Sequence, residues 1–205
     1  MKKIVFISLL LGFSFLVFSS CKWEKNVTVH GIEFKKMRYL VQAKDTTGIY
    51  GILKQKSIID GFPCAADWVE LSREGELRNF CLSEDFTVAN VHLQKGTWVF
   101  MKKAGKLLCV LPENTEYQGY ICKGGGGRKG IHTTFYPSGK LRSFYPLKDV
   151  TINGIRCKAS IFNNVALYEN GHLKYCKLSK ESIINGKKYP QNFVLNLDEN
   201  GKVIE

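Results

Sequence analysis

The chain has 205 residues, the usual size of one domain and short for two. It is 44% hydrophobic and 12% aromatic with only 5 prolines, which excludes long intrinsic disorder and any collagen-like or proline-rich stalk. The formal net charge is +12, with 24 lysines to 6 arginines, so anions are the natural class of partner.

In chain order, Met1-Lys2-Lys3 precedes an apolar run from Ile4 to Phe18. Two cations and a short apolar stretch are the opening regions of a secretory signal. The run is shorter than the roughly 20 residues a helix needs to cross a bilayer. Ser19-Ser20-Cys21 follows. Small residues directly before a cysteine resemble the lipobox of bacterial lipoproteins, with Phe18 where that family usually has Leu. The resemblance implies that residues 1–20 are removed and that Cys21 carries the lipid. It also implies an exported protein anchored to a bacterial membrane, in the periplasm or at the cell surface. The other readings of this segment are an ordinary signal cleaved near Ser20 and an uncleaved anchor.

Residues 21–30 read as the lipidated cysteine and a short tether. Residues 31–56, with Gly31-Ile-Glu-Phe34 and Arg38-Tyr-Leu-Val41, read as strands that cap an array. Residues 57–205 read as the array itself, because the sequence repeats. Gly75, Gly105, Gly139, Gly171 and Gly201 are spaced 30, 34, 32 and 30 residues apart. Each is followed two positions later by Leu or Val (Leu77, Leu107, Leu141, Leu173, Val203). A second line includes Ser57-Ile-Ile-Asp-Gly61, Thr151-Ile-Asn-Gly154 and Ser182-Ile-Ile-Asn-Gly186. Glu-Asn-Gly, Pro-Ser-Gly and Asn-Gly between alternating apolar residues predict hairpin turns, with glycine supplying positive φ. The flanks alternate with period two, the sign of half-buried strand. One such unit cannot bury its own apolar face, whereas stacked neighbours can.

The fold expected is therefore all-β, a tandem array of β-hairpins. The pieces of the form Phe135-Tyr-Pro-Ser-Gly139-Lys-Leu141 resemble MORN-type repeats, in a longer unit of about 30 residues. That resemblance implies an extended twisted sheet, with a β-solenoid as second choice. It further implies a scaffold or binding module, such as the antitoxins found beside some bacterial toxins.

Six cysteines remain after Cys21: Cys64, Cys81, Cys109, Cys122, Cys157 and Cys176. An even number in an exported chain predicts disulfides, and short loops favour Cys64–Cys81, Cys109–Cys122 and Cys157–Cys176. Buried free thiols are the other reading. The Lys123-Gly-Gly-Gly-Gly-Arg-Lys-Gly130 insert accounts for the long spacing of 34 and reads as a flexible cationic loop carrying Lys123, Arg128 and Lys129. It does not meet the phosphate-loop pattern, since Lys129 is followed by Gly130-Ile131.

No catalytic residues are assigned. His30, His92, His132 and His172 lack a sequence-adjacent nucleophile, and no Cys-x-x-Cys or Cys-x-x-His pair suggests a metal. Trp68, Trp98, Phe135 and Tyr168 open the units and read either as core or as a working face. The expected function is a non-catalytic, lipid-anchored envelope module that needs no cofactor. It binds or scaffolds at the membrane, with anionic lipid or glycan as the partner and nucleic acid excluded by the address. The alternatives are an immunity-type lipoprotein that binds a protein partner and, third, an enzyme of envelope glycans or lipids.

Overall fold

The computed structural model describes residues 22–40, 48–101 and 106–204, and strands dominate throughout. β1 (Glu24–Val29), β2 (Ile32–Leu40) and β3 (Gly48–Leu53) come first. A pattern then recurs in which a small hairpin precedes a larger one. β4 (Ser57–Ile59) and β5 (Phe62–Cys64) precede β6 (Trp68–Leu71) and β7 (Leu77–Cys81). β8 (Phe86–Val88) and β9 (Val91–Leu93) precede β10 (Trp98–Met101) and β11 (Leu107–Val110). β12 (Thr115–Tyr117), β13 (Tyr120–Cys122) and a 3-10 turn at Gly127–Lys129 precede β14 (His132–Phe135) and β15 (Leu141–Phe144). β16 (Val150–Ile152) and β17 (Ile155–Cys157) precede β18 (Val165–Leu167) and β19 (Leu173–Lys177). β20 (Ser182–Ile184), β21 (Lys187–Tyr189) and β22 (Val194–Asn196) end the pattern.

The larger strands form one 12-stranded sheet in the order β1-β2-β3-β6-β7-β10-β11-β14-β15-β18-β19-β22, and the small hairpins are separate two-stranded sheets. All pairings between these strands are antiparallel. The hairpin array expected from the turns is thus the architecture that forms. A solenoid would stack its coils through parallel pairs, and none are present among the described strands.

The small hairpins cover one face of the sheet, and the main core lies between the two layers. Their Ile59, Cys64, Val88, Leu93, Cys122, Ile152, Cys157 and Tyr189 join Phe34, Leu71, Phe80, Phe135, Phe144, Leu167 and Leu195 of the sheet in one buried cluster. Four residues before Gly75, Gly139, Gly171 and Gly201 stand the buried Leu71, Phe135, Leu167 and Leu197, and two residues after the first three stand the buried Leu77, Leu141 and Leu173, with Val203 half-buried after the last. This is why the two positions stay apolar while the turn between them varies.

Two turn types punctuate the chain. In the sheet, Gly75, Gly139, Gly171 and Gly201 take positive φ and donate N–H to the carbonyl three residues earlier. β6/β7, β14/β15 and β18/β19 each shift register beside the turn, as three-residue hairpin loops with a glycine bulge do. In the small hairpins, Asp60-Gly61, Ala89-Asn90, Gln118-Gly119, Asn153-Gly154 and Asn185-Gly186 all have two consecutive positive φ values, the two-residue turn that matches strand twist.

Side chains then tie one unit to the next. The oxygens of Asp60, Gln118 and Asn153 accept the backbone N–H groups of Leu77, Leu141 and Leu173 at 2.7, 3.0 and 2.8 Å. Tyr136 Oη donates to the Leu167 carbonyl at 2.9 Å, and Tyr168 Oη to the Leu197 carbonyl at 2.7 Å. The rings of His30 and His172 reach the carbonyls of Arg73 and Glu199, each two before a turn glycine.

One boundary changes. The segment read as a tether is folded, because β1 pairs with β2 from Glu24↔Met37 to Val29↔Ile32 across a tight His30-Gly31 turn. The alternation Val27-x-Val29 lets β1 pack two apolar residues against the core edge. Cys21 and residues 1–20, read from the sequence as a leader, lie outside the described residues.

Candidate functional site

The sheet face away from the small hairpins gathers aromatic rings and cations. Strand register fixes what it carries. Lys25 stands opposite Lys36, Lys36 opposite Ile52, and Ile52 opposite Trp68. One row further along, Arg38 stands opposite Tyr50, Tyr50 opposite Glu70, and Glu70 opposite Asn79. Beyond these, Cys81, Trp98 and Val110 form a second small buried cluster that packs against Trp68, Ala65 and Phe100.

The rings and cations of this face are interleaved. Tyr50 and Trp68 stack with centroids 4.7 Å apart and planes at 9°. Trp23 meets Trp68 edge-on at 5.7 Å and Tyr50 at 6.3 Å. Lys36 Nζ lies 5.2 Å from the Trp23 ring and 5.0 Å from that of Trp68. The Arg38 guanidinium lies 5.0 Å from Trp23 and 5.8 Å from Tyr50. These distances fall within the range of cation–ring attraction. Burial pushes the Tyr50 hydroxyl above its usual pKa, partly offset by Arg128 and Arg38, so it stays a neutral donor.

The acids nearby are already engaged by neutral donors. Glu70 accepts from the Asn79 amide at 2.6 Å, and Asp67 from the Trp68 backbone N–H at 2.7 Å. Among the described residues the ion pairs fall elsewhere, at Lys54–Glu33, Arg156–Asp149 and Lys188–Glu181. Arg38 Nε is buried and has no hydrogen-bond partner among the described residues.

The glycine insert completes the face and contains a 3-10 turn. Gly125, Gly126 and Gly127 take positive φ in succession, and a 3-10 turn closes with Gly130 N–H on the Gly127 carbonyl. A side chain at Gly124 would run into the Glu113 backbone. The folded insert brings Arg128 over Tyr50, 4.8 Å from ring centre. In a flat sheet β3 and β11 would be about 19 Å apart at the usual strand spacing, so this contact joins parts of the face that are distant in strand order. Lys123 is half-buried, its N–H on the Tyr145 carbonyl, and Lys129 is exposed. Of the three cations expected to act together, only Arg128 joins the ring cluster.

The aromatic residues that open each unit separate into three roles. Trp68 and Trp98 lie on the outer face, Phe135 is core, and Tyr168 is a rung of the hydrogen-bonded ladder. His132, not Phe135, occupies the column of the two tryptophans, and its ring meets Phe100 edge-on at 5.7 Å. No sequence motif singles out Trp23, Lys25, Lys36, Arg38 and Tyr50 as members of one face. The alternation Lys36-Met-Arg38 carries part of the signal, since period two puts both cations on one side.

All six described cysteines are buried free thiols, so the expected disulfides are absent. Cys64 belongs to the inner core and Cys81 to the outer cluster, on opposite sides of the sheet. Cys109 and Cys122 are on β11 and β13, which do not pair. Cys157 faces Leu178, two positions from Cys176, and meets the Cys176 thiol through a hydrogen bond. That contact and burial both raise the Cys157 pKa. Burial alone pushes Cys122 up to about 12, and is the main cause that raises Cys64 to about 12 and Cys81 to about 11.

Two open clefts recur at equivalent places among the turns. One of about 410 Å³ lies between His172, Asn153, Asn185 and Gly201, and one of about 360 Å³ between His30, Asp60 and Gly75. In both, the histidine is held to a backbone carbonyl. Among the described residues no three His, Cys, Asp or Glu side chains converge as metal ligands do. Compared with known proteins, the chain matches no family model, no curated protein and no solved structure.

Proposed function

We propose that this chain is a lipid-anchored protein of a bacterial envelope that works by binding an anionic component of that envelope. Its units are MORN-like hairpins in a longer form, and the array serves as the frame for one recognition face. The observation that carries the reading is the cluster of Trp23, Tyr50 and Trp68 interleaved with Lys36, Arg38 and Arg128. Stacked rings offer flat apolar area at little entropic cost, and cations that form no ion pair among the described residues have N–H groups to donate to phosphate or carboxylate.

The chain has three tryptophans, and all three lie on this face, so tryptophan emission, excited apart from tyrosine, reports on the face alone. The test titrates the purified protein with an acidic polysaccharide, with anionic-lipid vesicles and with neutral counterparts of each. The expected result is a saturable change in tryptophan emission with an anionic component only, weakened by salt and by Lys36→Ala with Arg128→Ala. No response to any anionic component sinks the proposal. Intact mass of the membrane-extracted protein tests the anchor, which requires a chain that begins at an acylated Cys21.

A further inference from the structure

We infer that the aromatic and cationic face docks on the bilayer that holds the anchor, with anionic phospholipid as its ligand, an inference that rests on the reading of Cys21 as the lipidated residue. The first support is distance along the chain. Trp23 is two residues from Cys21, so their Cα atoms are at most about 7.6 Å apart. The headgroup layer on each side of a bilayer is about 5–7 Å deep. A Cys21 whose acyl chains are in the hydrocarbon therefore holds Trp23 within or at the edge of the headgroups. Trp23 in turn touches Trp68 and Tyr50, so the whole ring cluster follows it to that depth.

The second support is chemistry. Tryptophan and tyrosine settle at the interface, where a ring meets both apolar chains and water. Trp23 is the most open of the three tryptophans, 37% exposed, whereas Trp98 is 6% exposed. The long stems of lysine and arginine lie along rings while their heads reach phosphates.

The third support is a charge arrangement that costs the fold and is left in place. Lys25 and Lys36 stand directly opposite on the same face, and like charges so placed repel. Arg38 and Arg128 add to the same patch. A surface of lipid phosphates turns that repulsion into attraction, and the two nearby carboxylates, Glu70 and Asp67, bond to the Asn79 amide and the Trp68 backbone and are outnumbered by the cations.

The experiment uses the full chain, extracted with its lipid and reconstituted in phosphatidylcholine vesicles with or without phosphatidylglycerol. Acyl chains brominated at a known depth act as the quencher. In the Trp98→Phe background, emission from Trp23 and Trp68 should be quenched, and more strongly with phosphatidylglycerol. Lys36→Gln and Arg128→Gln should each lower the docked-to-undocked ratio about fivefold. Thermal melting of each variant checks that it is folded. A chain of acylated mass whose tryptophans are not quenched overturns the docking while the anchor stands. A chain without acyl mass overturns the anchor reading first. Emission that answers to acidic polysaccharide and not to lipid overturns the docking and leaves the proposed anion binding in place.

Discussion

Asn153 Oδ1 accepts the backbone N–H of Leu173 at 2.8 Å, which joins the tip of one small hairpin to the sheet hairpin that follows it. Asn153 also holds φ of 48°, a conformation asparagine tolerates better than alanine. Asn153→Ala removes the acceptor from a half-buried N–H and strains the turn. The expected loss is about 1–3 kcal/mol of unfolding free energy. Asn153→Asp keeps an acceptor oxygen, as Asp60 does for Leu77 in the first unit, and should retain most of that stability. Urea titrations of both variants check this; equal losses in the two would show that the hydrogen bond is not the cause.

These clamps mark how far the sequence could be read. The turn glycines, the Asn-Gly tips and the alternating flanks are local signals, and they predicted the hairpins at Phe135–Leu141, Leu167–Leu173 and Ser182–Tyr189. Ala89-Asn90 forms the same tight turn without a glycine and gives no such signal. The ring cluster is long-range: Trp23, Tyr50 and Arg128 meet only because the register of β1, β2, β3 and β6 and the folded insert bring them together. The cysteines failed for a related reason. Proximity along the chain suggests Cys64–Cys81, but Cys64 sits on a small hairpin packed into the inner core while Cys81 leaves the large sheet on its outer face, a placement that spacing does not contain.

Gly51 occupies the inner face of β3 where the other units place Phe80, Cys109, Phe144 and Cys176. The bulge in β2 at Phe34/Lys36 fills that space instead. A Cβ on Gly51 would stand 2.6 Å from the Lys36 carbonyl oxygen and 2.7 Å from Met37 Cβ and Phe34 Cδ1. Backbone cannot move aside cheaply, so Gly51→Ala should cost about 1–3 kcal/mol or more. Gly171→Ala is the control. It has open space around it and strains only a positive φ, at roughly 1–2 kcal/mol. Denaturant midpoints of the two decide whether crowding, rather than lost flexibility, is the penalty at Gly51.

Tyr136 and Tyr168 form consecutive rungs, each hydroxyl on the carbonyl of a residue in the next unit. Removing one hydroxyl leaves a carbonyl with its second lone pair open and the ring in place. Tyr136→Phe and Tyr168→Phe should each cost about 0.5–1.5 kcal/mol. Because Tyr136 bonds the carbonyl of Leu167, the residue beside Tyr168, the two rungs are coupled and the double variant should depart from additivity. Hydrogen exchange of the Leu173 and Val203 amides in the Tyr168→Phe variant should show local opening before global unfolding.

The buried thiols give the protein a defined alkaline weakness. Cys64 and Cys122 are pushed up to about 12 and Cys81 to about 11 in the folded state, from an ordinary value of 9.0. A group whose folded pKa is raised keeps its proton in the native state while the unfolded chain gives it up. Stability is then full below about pH 9 and falls as pH rises towards about 11–12, because the native state binds more protons than the unfolded one. Urea midpoints measured across this range should fall with pH. Cys64→Ala should start lower, from the lost packing, yet fall less steeply, because one of the linked protons is gone. The thiols should also resist alkylation near neutral pH in the native protein and react fully once unfolded, since only the thiolate attacks. Rapid labelling of Cys64 or Cys122 in the folded chain, or a midpoint that does not move between about pH 8 and 11, would show that burial does not hold these protons.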